Sequence, residues 1–512
     1  MRLRRIAALL VACCAGAAPG PAAARLPDAA VRAVERVAAD DLRAYVDKLA
    51  SDEFGGRGLG EPGNRAAEEY VCAALAGSGV TPAGADASCY QAVAVYRPVP
   101  GLHASLRVSR TDGTVVTELA TGADFYALPD SGPADVRARL VFAGYGLVAP
   151  AAHDDYAGVD ARGAIVLLLD GAPEKLRGDA SSDAAKIAAA VARGARAVLI
   201  VRDSLPDYKL VWPEQGASRT STYRLVANLR DRAPAAALSA RAARPIRRAL
   251  AAHVDLVASL SPDVAAAPIT MRNVLGIVEG RDPARHEEMV VVGAHLDHDG
   301  TDAQGRVYHG ADDNASGTAA VLAAAAAFAR AAADGERPAR SVLFALWNGE
   351  EKGSLGAEAF VVSPQPRRRV IANLNLDMVG RHEEIKDPGD WRFAGMPRVN
   401  PDTSVNTLHV LGYSYSPDLA AELRDANGAV GLQLLEDYDV GAQDLLKRSD
   451  NWPFVTHGIP ALFLTTGLHP DYHTPDDDSG RIDFDKLARV ARLAARAAWI
   501  VADGPAPVLI KR

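Results

Sequence analysis

The stretch Met289-Val290-Val291-Val292-Gly293-Ala294-His295-Leu296-Asp297-His298 decides how this chain folds. Its first six residues are apolar and include three consecutive valines, a run of strand length rather than helix length. A strand apolar on every position is buried on both faces, which points to a parallel or mixed sheet with helices on either side. The run then ends abruptly in two histidines and an aspartate. Open α/β sheets hold their ligands at the C-terminal ends of strands, so the polar end is where chemistry is expected.

Read outward, the pattern repeats. An alanine-rich helix is predicted from Thr318 to about Ala332, and strands over Val342 to Trp347, Val370 to Leu376, Thr407 to Gly412 and Ala461 to Leu464. A closing helix spans Phe484 to about Ala502. Acids and histidines follow these strands: Asp312 and Asp313 in the loop Gly310 to Gly317, Glu350 and Glu351 after Trp347, Asp377 after Leu376, and His473 after the last strand. One such residue is ordinarily a cap or a turn residue. Five features on successive elements converge on one site. Two imidazoles with several carboxylates suit zinc, which accepts both N and O donors.

The upstream half reads differently. Leu42, Tyr45, Val46 and Leu49 share the spacing of one helical face, and a second helix is predicted from Asn64 to Leu75. Between them Ser51 to Gly58 is a glycine-rich loop. From about Arg97 to Val264, short β runs (Arg139 to Ala143, Ala164 to Leu169, Ala197 to Val201) alternate with Gly and Pro turns, as in a separate small α/β domain. At 512 residues the chain exceeds the size of a single core. Its formal net charge of -8 gives no electrostatic footprint for nucleic acid.

The N-terminus reads as an export signal. Arg2, Arg4 and Arg5 precede an apolar run from Ile6 to Ala12, and an Ala-x-Ala end at Ala22 to Ala24 predicts a signal peptide over residues 1–24. Leu10-Val11-Ala12-Cys13 also fits a lipobox, and the alternative is a lipid anchor at Cys13. No later segment reaches the ~20 apolar residues that span a bilayer. A periplasmic or extracellular location is therefore expected, with outer-membrane lipoprotein as the variant. Cys72 and Cys89 remain in the mature chain, as one disulfide or as two buried thiols.

With these residues in view, the sequence resembles the co-catalytic dizinc exopeptidases, a family of secreted bacterial aminopeptidases that also includes glutamate carboxypeptidases. The resemblance runs over almost the whole mature chain: Ser51 to Gly58, Asn273 to Gly317, and Ser449 to His473 with Gly458-Ile459-Pro460-Ala461 between. The region holding Gly144-Tyr145-Gly146 and Asp154-Asp155-Tyr156-Ala157-Gly158 resembles a protease-associated domain. It implies an α/β fold in which a mixed, mostly parallel sheet is sandwiched by helices. Residues 25–130 and 265–512 would form the peptidase domain, with the small domain inserted at 131–264.

The resemblance also implies roles. Asp313 would bridge two Zn2+ ions, His295 and Asp377 would complete one, and Glu351 and His473 the other. Glu350 would be the general base, and the carboxylate of Asp297 would orient a ligand imidazole. His298 and His309 match no ligand and are expected beside the ligands or at the rim. Asn451 stands where relatives often carry histidine, although no ligand depends on it. Tyr472 is a candidate oxyanion donor or a packing residue, and Arg381 serves a substrate carboxylate or an ion pair. Peptides are the expected substrates. Aminopeptidase activity leads, with carboxypeptidase, dipeptidase and glutaminyl-cyclase-like activities, or a non-catalytic binding protein, as alternatives.

Overall fold

The computed structural model describes residues 26–510 apart from 102, 130, 150–152, 177–178, 207–222, 227–231, 365, 394 and 441. The signal peptide read at 1–24 and Cys13 lie outside the described residues. The chain opens with helices α1 (Asp28–Glu35), α2 (Ala39–Leu49) and α3 (Pro62–Gly77), then strand β1 (Tyr90–Pro100). Leu42, Val46 and Leu49 are buried as the spacing predicts. Cys72 and Cys89 form a disulfide with Cα atoms 6.0 Å apart, tying α3 to the entry of β1.

A second unit follows. It comprises β2 (Ser105–Arg110), β3 (Val115–Leu119), β4 (Phe125–Ala127), β5 (Val136–Phe142), β6 (Ile165–Leu169), α4 (Asp183–Ala192), β7 (Ala197–Arg202), β8 (Ala235–Ser239), α5 (Ala240–Ala251) and β9 (Leu256–Ser261). These strands make one sheet in the order β3-β2-β9-β5-β6-β7-β8-β4, with β5 to β8 parallel. The second unit thus begins at β2 and not at residue 131. β2 pairs with β9, β3 with β2 and β4 with β8, and the short half-exposed alternation of β2 and β3 leaves little sign of this in the sequence.

The chain returns through β10 (Val264–Val278) to β11 (Glu288–His295), α6 (Gly317–Ala333), β12 (Ser341–Trp347), α7 (Leu355–Val362) and β13 (Arg369–Leu376). Then come β14 (Thr407–Leu411), α8 (Pro417–Asn427), β15 (Gln433–Leu435), α9 (Asn451–Thr456), β16 (Ala461–Thr465) and α10 (Phe484–Asp503). The large sheet runs β1-β10-β12-β11-β13-β16-β14-β15. Its centre, β12-β11-β13-β16, is parallel, as is the edge pair β14-β15. The expectation of a mostly parallel sheet is corrected by the long antiparallel β1–β10 pair and by β14 against β16. Pro98, Arg97, Pro268 and Arg272 break the apolar runs of β1 and β10, which hides both as strands.

Alternation along β11 explains the two helical layers. Val290, Val292 and Ala294 pack with Ala320, Val321, Leu487 and Trp499 of α6 and α10. Met289 and Val291 point the other way, to Phe360 of α7 and Phe454 of α9. The helical stretch Ala311–Ala333, which ends in α6, is long and apolar enough to cross a membrane, but it is mostly buried in this core. With both faces covered, the one part of β11 open to chemistry is its end.

Candidate active site

Four loops meet beyond the C-terminal ends of the parallel strands. His295 closes β11 and Asp313 lies between β11 and α6, Glu350 and Glu351 follow β12, Asp377 follows β13, and His473 follows β16. Small residues permit the approach. A side chain at Gly317 would stand 2.4 Å from the Leu376 carbonyl, so glycine there lets the Asp313 loop touch the end of β13. Asn314 locks the contact: its Nδ2 donates to Leu376 O at 2.9 Å, and its Oδ1 accepts the N–H groups of Gly317 and Met378. Asp477 accepts the backbone N–H groups of Asp312 and Asp313.

All five expected ligands come together. Asp313 sits between two histidines, with Oδ1 3.2 Å from His295 Nε2 and Oδ2 3.2 Å from His473 Nε2. Asp377 Oδ1 is 3.3 Å from His295 Nε2, and Glu351 Oε2 is 3.4 Å from His473 Nε2. The two imidazoles are held alike. His295 turns Nδ1 to the Asp297 carbonyl at 3.1 Å, and His473 turns Nδ1 to Asp299 Oδ2 at 3.2 Å. Each therefore presents Nε2 inward.

Asp297 acts differently from expectation. Its backbone carbonyl, not its carboxylate, faces His295, because the chain turns sharply just beyond β11. Its Oδ1 instead accepts the Glu350 N–H at 3.1 Å. His298 is fully buried rather than at a rim, with Nδ1 2.7 Å from Glu351 Oε1 and 3.8 Å from Asp313 Oδ2. His309 does lie at the rim, 2.9 Å from Asp52. Arg381 makes an ion pair: it and Arg481 both donate to Asp471 Oδ2 at 2.8 Å. Asn451 is buried and donates to the Leu446 carbonyl.

Several residues went unread in the sequence. Asp299 lies in the same His-x-Asp-His-Asp run as His295, which was its one signal. Ser449 donates to Asp377 Oδ2 at 2.6 Å while accepting from Asn375 Nδ2. Asp450 beside it is buried near His295 and Asp377. Arg57 donates to the carbonyls of Leu49, Leu296, His309 and Gly310, stitching the loop after α2 to the site. Gly56 allows this, since a Cβ there would meet the Tyr308 carbonyl at 2.4 Å.

The electrostatics show an excess of buried negative charge. Burial pushes Glu350 and Asp450 well above the usual carboxylate range, and Asp297 up to about 6. Asp377 also rises through burial. For Asp313, burial is outweighed by His298, His295 and His473, which hold it well below its ordinary value. Burial likewise opposes charge on His295 and His473, but the surrounding carboxylates raise both far above 6.5. Among the described residues no Lys or Arg forms an ion pair with Asp313, Glu351 or Asp377. Such a set satisfies its charge best around added cations.

Beside the cluster lies a small cavity of about 30 Å³. Met378, Leu445, Phe463 and Leu468 make its apolar wall, while Glu350, Arg448 and Tyr472 supply its polar groups. Ring contact at 4.1 Å packs Tyr472 on His473.

The Peptidase family M28 sequence model matches residues 273–498, which contain every one of the five ligand candidates. A probable leucine aminopeptidase of Arthroderma benhamiae is 29% identical over 234 residues, 43% of this chain and 56% of that protein. A probable zinc metalloprotease of Pyrenophora tritici-repentis is 30% identical over 267 residues, 47% of this chain and 53% of that one. The chain thus spans about half the length of these curated relatives. The aminopeptidase from Aneurinibacillus sp. strain AM-1 shares the fold, with a TM-score of 0.51 at 20% identity. That match covers 94% of this chain and 97% of the other, second unit included.

Proposed function

Proceeding from the Peptidase family M28 domain at residues 273–498, we propose that the protein is an exported dizinc exopeptidase that removes N-terminal residues from peptides. The arrangement around Asp313, one oxygen toward each of two histidines, carries this reading. His295 and Asp377 would hold one ion, Glu351 and His473 a second, and Asp313 would be shared. The donor set fits: His295, Asp313 and Asp377 offer ligand atoms within 4.8 Å of one another, Glu351 and His473 do so together with Asp299, and all are imidazole or carboxylate. Bound zinc would supply Lewis acidity at the scissile carbonyl and lower the pKa of nearby water.

The remaining work belongs to the chain. Glu350 lines the cavity beside Asp313 and Asp377, and its raised proton affinity suits a group that accepts a proton from attacking water. It then delivers that proton to the leaving amine. The Asp297 carboxylate fixes the Glu350 turn through the backbone N–H, which makes Asp297 a positioning residue. Ser449 aims Asp377 by its short hydrogen bond. Tyr472 lines the cavity and would serve there as a hydroxyl donor to a developing oxyanion. The apolar wall would take an apolar side chain of the departing residue.

A carboxypeptidase or dipeptidase reading has one observation of its own. Arg448 lines the cavity, where a guanidinium can meet an α-carboxylate. A panel of leucyl-anilide, N-acetylated and C-amidated peptides separates the two. Aminopeptidase action predicts cleavage of free N-termini with or without a C-terminal amide, lost on chelation and restored by zinc. Cleavage restricted to free C-termini would replace it with the second reading.

We further infer that the second unit is a protease-associated domain. Asp155 supports this by accepting the backbone N–H groups of Tyr145 and Leu147, which closes the Gly144-Tyr145-Gly146 turn. Export is supported by the Cys72–Cys89 disulfide, a bond kept in oxidising compartments. Whether the N-terminus is cleaved before Arg25 or lipidated at Cys13 is decided by the intact mass of the secreted protein.

A further inference from the structure

The second unit carries a groove of about 960 Å³ at the C-terminal end of β5, between that strand, the start of β9 and helix α5. C-terminal ends of parallel strands are where such sheets accept ligands. One wall is basic. Arg244, Arg247 and Arg248 recur at helical spacing on one side of α5, and all three are exposed. Among the described residues none of the three has a carboxylate partner. Their neighbours differ: Arg241 donates to Asp124 at 2.9 Å and Arg139 is engaged by Asp160. The remaining acid in the lining is Asp255, so three unpaired guanidinium groups face one free carboxylate.

An apolar surface adjoins it. Phe142 is 37% exposed, an unusual position for a phenylalanine at a strand end, and Arg247 lies 5.8 Å from its ring centroid. Leu250 and Val254 continue that surface, both half-buried. Cations beside an aromatic match a chain that carries carboxylates and apolar side chains together. The groove is concave, which admits an extended polypeptide and excludes a flat bilayer. It also stands out on a chain whose net charge is -8.

We propose that this groove docks an acidic polypeptide segment, with its carboxylates on Arg244, Arg247 and Arg248 and an apolar side chain on Phe142. Guanidinium forks meet carboxylates bidentately, and an exposed aromatic gains from being covered. The site is separate from the metal cluster and holds whether or not the peptidase reading does.

The test uses the full chain and a fluorescent peptide of alternating Glu and Leu, N-acetylated and C-amidated so that no exopeptidase consumes it. Anisotropy should show saturable binding that weakens with salt. The triple variant Arg244→Glu, Arg247→Glu, Arg248→Glu should bind at least about tenfold more weakly, roughly 1.4 kcal/mol, while cleaving leucyl-anilide as before. The triple lysine variant should retain most of the binding, and Phe142→Ser should weaken it without changing its salt dependence. Absent binding by the wild type, or equal binding by the triple glutamate variant, overturns the proposal. So does stronger retention on phosphatidylglycerol vesicles, or competition by millimolar inorganic phosphate that removes the peptide completely.

Discussion

Each unit of this protein contains four adjacent parallel strands, β12-β11-β13-β16 in one and β5-β6-β7-β8 in the other. Their C-terminal ends are equivalent places, yet they are furnished in opposite ways. In the second unit Asp183 pairs with Arg202, which also lies 3.9 Å from Asp170. Lys186 donates to the carbonyls of Leu169 and Gly171. The charges at the ends of β6 and β7 are thus met within the unit. In the first unit Asp313, Glu351 and Asp377 have, among the described residues, imidazoles and no Lys or Arg as ion-pair partners, and carry surplus negative charge. The backbone offers a site in both; the side chains leave only one of them wanting cations.

The largest effect should come from Glu350→Gln, which keeps the shape of the side chain and removes its proton affinity. Turnover should fall about 10²- to 10⁴-fold with zinc binding unchanged, measured by steady-state kinetics beside metal analysis. Loss of metal instead would exchange the roles of Glu350 and Glu351.

A closed acid–histidine cluster in the same large sheet sharpens the contrast. His409 lies between Asp437 at 2.8 Å and Glu383 at 3.2 Å, and Tyr438 donates to Glu383 at 3.1 Å. Burial disfavours its charged form, but the two carboxylates outweigh burial and raise its pKa from 6.5 to about 9. The stabilisation is therefore complete below about pH 6.5 and is lost as pH rises through 9, about 3 kcal/mol in all. Urea unfolding of wild type and His409→Gln across that range should converge at high pH. A constant difference would show that the cluster contributes packing alone.

Next in size is Asp299→Asn, which weakens the hold on His473 and should lower zinc affinity roughly 10- to 100-fold. A competition titration against a chelator reads this directly. The smallest effect should be Lys186→Met, about 1 kcal/mol of stability through two lost hydrogen bonds, with leucyl-anilide turnover unchanged. A drop in turnover would couple the two units more tightly than the contrast allows.

Legibility in the sequence followed the same division. Strands β11, β12, β13 and β16 were readable to within a residue or two because total burial leaves unbroken apolar runs. β1 and β10 were not, since a long, partly exposed antiparallel pair tolerates proline and arginine along its length. The five ligand candidates stood out because each directly follows such a run or lies in the loop to α6. Asp299, Ser449 and Asp450 act on those five from behind, and side chains of that type in loops are too common to single out. Asp297 was found, but its working group was misread, because a sequence does not say whether a carbonyl or a carboxylate turns toward His295.

The central claim is that the surplus charge around Asp313 is matched by two metal ions. Zinc bound per chain at saturation, measured by inductively coupled plasma mass spectrometry after dialysis, tests it most directly. The account predicts two equivalents for the wild type and a loss of both tight sites in Asp313→Ala. Absence of bound metal in an active wild type, or two equivalents retained by Asp313→Ala, would contradict it.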